Sequence, residues 1–155
     1  MAIEIQNIAS LGDRLGEEIA VSDWIDVPQQ RIDQFADATE DRQWIHVDPA
    51  RASRESPFKT TIAHGFLTLS LVSVLTRRAM TFTGVRMAIN YGLNRVRFIS
   101  PVPAGARIRA RFAPIAVEQT KADAGGSAQV TWKVTVEREH GEKPCCVIEW
   151  LVRYY

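Results

Sequence analysis

The chain lacks what would staple, anchor or charge it. Its only cysteines, Cys145 and Cys146, are neighbours in sequence. An adjacent pair makes no disulfide framework and has no metal-ligand spacing. The expectation is a reducing, cytoplasmic setting. Excess charge is also missing: 19 Lys and Arg face 18 Asp and Glu, for a net charge of +1. The basic residues are spread from Arg14 to Arg153. That argues against nucleic-acid binding and against a polybasic membrane anchor. Glu4, Asp13, Glu17 and Glu18 interrupt the start of the chain, so no secretory leader is expected. The longest stretch without Asp, Glu, Lys or Arg runs from Thr60 to Thr76 and carries His64, two serines and four threonines. It is slightly short for a membrane span and reads as a buried helix.

What is present is ordinary for a folded domain: 155 residues, 46% hydrophobic and 24% charged. This argues against disorder. One domain, 1–155, is expected, large enough to bury a core without a staple. The first half reads as helical and the second as strands. Ile19, Val21, Trp24 and Ile25 suggest a short extended segment. Pro28 suits the first helical position, and Ile32, Phe35 and Ala36 share one face of a helix over 28–39. Residues 41–47 show no helical period and are expected to be a loop. Asp48-Pro49 opens a short helix over 49–55. Residues 65–80 read as a helix apolar nearly all round, hence buried.

After residue 80 the period changes to two. Strands are expected over 86–99, with a bulge at Gly92, and around Ile108–Phe112, Val130–Val136 and Cys146–Tyr154. Asp123 to Gly126 reads as a hairpin turn and His140-Gly141 as another. Four strands with short connections suggest an antiparallel meander. A curved antiparallel sheet around one buried helix satisfies both patterns, which makes the fold class α+β.

Of three histidines, His140 is expected in an exposed turn and receives no role. His46 and His64 lack any metal motif, so no metal is expected. Asp41 and His46 stand five apart in a loop that can curl both inward. A carboxylate and an imidazole together can take and deliver a proton. Equally, Asp41 can cap the loop and His46 can hydrogen-bond Asp48. Ala63-His64-Gly65 directly precedes the long helix, so the Gly65 amide is an orphan N–H at a helix start. It suits an oxygen that gains negative charge, or it is only a tight turn. His64 reads as packing or loop-orienting. Ser73 lies mid-helix, where a buried hydroxyl would bond the Leu69 carbonyl.

Two stretches, FADATEDRQWIHVDPARA at 35–52 and PFKTTIAHGFLTLSL at 57–71, together with NRVRFISPV at 94–102, resemble the MaoC-like dehydratases, which include the (R)-specific enoyl-CoA hydratases. QWIHVDP is most similar to the branch named after nodulation protein N. The resemblance implies the hotdog fold and a homodimer. It also implies a hydro-lyase activity, the reversible syn hydration of trans-2-enoyl thioesters carried by CoA or acyl carrier protein. It places the family's catalytic pair on Asp41 and His46, the backbone oxyanion donor on Gly65 and the helix serine on Ser73. No cofactor is implied, because the thioester is its own activator. The chain departs from the family pattern at Glu40, where many members have glycine, and at Gln43-Trp44, where they have Asn-Pro. Two rival readings remain open: a hotdog thioesterase, which would not need His46, and a non-catalytic acyl-thioester-binding subunit.

Overall fold

The computed structural model describes residues 2–120 and 127–155. The expected hairpin turn at Asp123–Gly126 lies outside them. Residues Ile3–Ile5 form β1. A 3-10 turn at Ile8–Arg14 leads to two short strands, β2 (Ala20–Val21) and β3 (Ile25–Val27). Three helices follow, α1 (Gln29–Thr39), α2 (Trp44–Val47) and α3 (Pro49–Glu55). Next come α4 (Gly65–Ser70) and α5 (Val72–Ala79), then β4 (Met80–Phe82), β5 (Ala88–Phe98), β6 (Ala106–Thr120), β7 (Ser127–Arg138) and β8 (Cys146–Tyr154).

The main sheet has six strands in the order β2-β6-β7-β8-β5, with β3 also paired to β6. Alternation sets its inner face. Ile108, Ala110 and Phe112 of β6, Val130, Trp132, Val134 and Val136 of β7, and Ile148 and Val152 of β8 are all buried. Trp132 meets Phe112 edge to face, with centroids 6.4 Å apart, and donates its indole N–H to Tyr154 Oη at 3.0 Å. Burying each such side chain is worth about 1.5–3 kcal/mol. Leu67, Val72, Leu75 and Ala79 of α4 and α5 join the same core. A helix packed across an antiparallel sheet is the α+β arrangement expected from the two periodicities.

Four expectations need correction. Residues 44–47 are not loop: the N–H of His46 reaches Gln43 O and that of Asp48 reaches Trp44 O, closing one helical turn. The long helix is divided at Leu71, whose carbonyl accepts from both Val74 and Leu75. That mix of three- and four-residue spacing tightens the turn. Nor is the helix buried all round, because Phe66 is 68% exposed. Finally, β5 pairs with β8 rather than β6, so only β6, β7 and β8 form a meander. The connection at 99–105 crosses the end of the sheet and holds the segment before α4: Ala63 N–H donates to Val102 O at 2.7 Å, and Ala104 N–H to Thr61 O at 2.9 Å. The bulge is where Gly92 suggested, with a register shift between Asn90 and Gly92. One pairing had no visible signal, the parallel contact of β1 with β4.

Candidate active site

Helix α1 ends at Thr39, and Glu40 adopts a left-handed φ of 61°. That turn sends Asp41 across the helix end toward the segment before α4. The single turn of α2 then presents His46 inward, and its side chain is buried. Three contacts fix it. Its Nδ1–H donates to Ile62 O at 2.7 Å. The Ile62 N–H returns to Ile45 O at 3.0 Å. The amide of Gln29, at the start of α1, donates to His46 O at 2.7 Å and to Asp33 at 2.8 Å. Gln29 also accepts the Thr61 hydroxyl, which ties the same group to the segment leading into α4.

His64 immediately precedes α4. Its Nε2–H donates to the backbone carbonyl of Asp41 at 2.9 Å. Its ring stacks on His46, with centroids 3.8 Å apart and planes 25° from parallel. Phe35 of α1 lies tilted against it at 4.9 Å. A carbonyl only accepts, so each carbonyl-bound ring nitrogen carries the proton. In the neutral state His46 therefore keeps a lone pair on Nε2, and His64 keeps one on Nδ1. His64 Nδ1 is buried, with no hydrogen-bond partner among the described residues.

One polar atom from each of Asp41, His46 and His64 lies within 4.8 Å of the others. Groups this close could exchange a proton or hold a metal ion. Burial is the main influence that lowers the His46 pKa below its ordinary 6.5; the neighbouring His64 lowers it further, while the Ile62 carbonyl and Asp41 oppose. At neutral pH the imidazole is thus an unprotonated base beside a carboxylate.

Gly65 opens α4, as expected. A Cβ there would lie 3.1 Å from the Phe98 ring. A cleft of about 230 Å³ adjoins it, lined by Ile62, Ala63, Gly65, Thr68 and Phe98 among others. Ser73 departs from expectation. It is exposed rather than buried, and it makes no bond to the Leu69 carbonyl. It borders two clefts, of about 130 and 290 Å³, which share Ser73, Asn90 and Trp150. Trp150 donates its indole N–H to Asn90 at 2.8 Å between them. The structure thus gathers Asp41, His46 and His64 tightly and places Ser73 farther along the same helical segment as Gly65. Gln29 and Thr61, which hold His46 in place, carry no signal in the sequence. Their partners lie 17 and 32 residues away along the chain.

Residues 10–138 match the family model described as MaoC like domain. The chain belongs to the MaoC-like family. It is 49% identical to 3-hydroxyacyl-thioester dehydratase Z of Mycobacterium tuberculosis strain H37Rv, over 96% of both chains. It is 46% identical to nodulation protein N of Rhizobium leguminosarum bv. viciae, covering 94% of this chain and 89% of that one. A solved structure, the monoamine oxidase regulatory protein from Archaeoglobus fulgius, superposes with a TM-score of 0.74 at 26% identity, covering 99% and 97% of the two chains. The helix and antiparallel sheet described above are the MaoC-like hotdog fold.

Proposed function

We propose that this MaoC-like protein is an (R)-specific enoyl-thioester hydratase and 3-hydroxyacyl-thioester dehydratase. The observation that carries the reading is the Asp41–His46 pair, with an imidazole held neutral and its Nε2 lone pair free beside a carboxylate. The 3-hydroxyacyl-thioester dehydratase named among its relatives supports the same chemistry.

In the hydration direction, Asp41 and His46 hold one water over the β-carbon of the enoyl thioester. The water proton passes to the pair as the oxygen bonds to carbon. The thioester carbonyl becomes an enolate, stabilised by the Gly65 amide. The pair then protonates the α-carbon on the same face. Proton count and charge close within the pair, so the steps need no cofactor or metal. Asp41 and His46 act as one coupled unit. The acyl chain extends from Gly65 past Ser73 into the cleft beside Trp150 and Asn90.

The thioester is carried by CoA or acyl carrier protein, and the whole chain, 1–155, acts as one domain. Two copies join through β5, an edge strand with Ile89, Tyr91, Leu93 and Phe98 exposed. Such an edge needs a cover. A reducing, cytoplasmic location fits the free, buried Cys145 and Cys146. None of the helices among the described residues is long and apolar enough to cross a membrane.

The test is loss of enoyl absorbance from a trans-2-enoyl-CoA, with a thiol reagent reporting free CoA. Asp41→Asn and His46→Gln should each lower the hydration rate about 10²–10⁴-fold. Rapid CoA release that survives His46→Gln would identify a thioesterase instead. Binding without turnover across an acyl series would identify a binding subunit.

A further inference from the structure

His64 does more here than fill space. It is 2% exposed, yet a purely apolar residue would fill that volume without leaving a buried nitrogen unpaired. Nδ1 has no partner among the described residues, and an unsatisfied buried acceptor opposes folding. Direct proton chemistry is closed to it as well. Nδ1 is shielded from solvent, and Nε2 is engaged by the Asp41 carbonyl. What His64 does contact is the machinery. One edge of the ring holds the Asp41 backbone, and one face supports His46.

Asp41 needs such a hold. The residue is exposed, its side chain makes no hydrogen bond to the described residues, and it follows the left-handed Glu40. The local fastenings nearby are the Arg42 N–H on Glu40 O at 3.1 Å and the exposed Arg42–Asp37 ion pair. Exposed pairs of that kind restrain little. Two residues before His64, the Ile62 carbonyl fixes the His46 ring in its plane. The short segment 62–64 therefore sets both proton carriers relative to each other.

We propose that His64 is a positioning residue: its Nε2–H fixes the Asp41 backbone while its ring face supports the His46 imidazole. The kinetic consequence rests on the hydratase reading; the ring geometry does not. The titratable groups acting on His46 are Asp41 and His64. From α1, Asp33 reaches it only through Gln29.

Two variants of the full chain separate the functions. His64→Gln keeps an N–H near the Nε2 position without a ring, and His64→Phe keeps the ring without the N–H. His64→Phe should lower kcat up to about 10²-fold, the cost of a misplaced catalytic group, with KM little changed. His64→Gln should recover most of that loss. In both, the acidic limb of kcat/KM should move to higher pH, because a group that lowers the His46 pKa is gone. A second measurement needs no variant. Imidazole ¹⁵N shifts of the unmodified protein should show His64 as the Nε2–H tautomer and His46 as the Nδ1–H tautomer. The opposite tautomer at His64 overturns the proposal, as do wild-type kcat and an unmoved limb in both variants. If a variant fails to fold, the tautomers still decide. If the unmodified protein hydrates no enoyl thioester, the hydratase reading fails, and the tautomers again decide the role of His64.

Discussion

The His46 imidazole is where burial, a carbonyl, a second ring and a carboxylate meet. Burial wins, and the ring is a weaker base than in water. The sign of the resulting pH dependence follows. The unfolded ring protonates near its ordinary 6.5, and the folded ring resists until lower pH. Stability contributed by neutral His46 is therefore complete above about pH 6.5 and is lost as pH falls from there through the folded value. Melting temperature measured against pH should decline over that window, and His46→Gln should flatten the decline. The pH–rate profile should keep its acidic midpoint below 6.5 for the same reason. At this scale the sequence was informative in part. Asp41 and His46 were singled out from residue type, spacing and resemblance, and the structure brings them together. The stacking of His64 and the grip of Gln29 were not, because they join segments 17 or more residues apart through side-chain directions that no local period encodes. Ser73 was misjudged in burial, since an apolar run does not say which side of a helix is covered.

Among the elements, the errors have a common physical source. A one-turn helix such as α2 is too short for a hydrophobic period to register. The division of the long helix at Leu71 leaves every apolar position in place, so it too is invisible to pattern. The connection at 99–105 is tied to the segment before α4 by the Val102 carbonyl and the Ala104 N–H, and β5 lies at the far edge of the sheet from β2. Local chemistry was read well: the Asp48 cap on Arg51 N–H at 2.9 Å, the bulge at Gly92 and the turn at His140. The start of α4 offers a test at this scale. The new methyl of Gly65→Ala would sit 3.1 Å from Phe98, a half-exposed ring that must shift by a few tenths of an ångström to admit it. Melting temperature should move by only a few degrees, equivalent to about 1 kcal/mol or less. Hydration should fall at least about tenfold, since the methyl would crowd the place proposed above for the thioester oxygen.

Over the whole molecule, one chain leaves large apolar side chains uncovered. Phe66 on α4 and Ile89, Tyr91, Leu93 and Phe98 on β5 are all exposed. Patches of this kind on a folded chain mark interaction surfaces. Sedimentation should give about twice the 17.4 kDa chain mass. Leu93→Glu should shift the protein toward the single chain by placing a charge on that edge; sedimentation at one chain mass in the unmodified protein would remove the dimer. The overall class, a helix against an antiparallel sheet, was readable because the change of period from 3.6 to 2 survives every local error. Asp41 and His46 are proposed to add water to an enoyl thioester from one face. The most direct test of this proposal is the configuration of the product formed from trans-2-butenoyl-CoA, resolved by chiral chromatography after hydration. The expected product is (R)-3-hydroxybutyryl-CoA, without free CoA, and its formation should be lost with either Asp41→Asn or His46→Gln. An (S) product, or CoA release with no hydroxyacyl product, would contradict it.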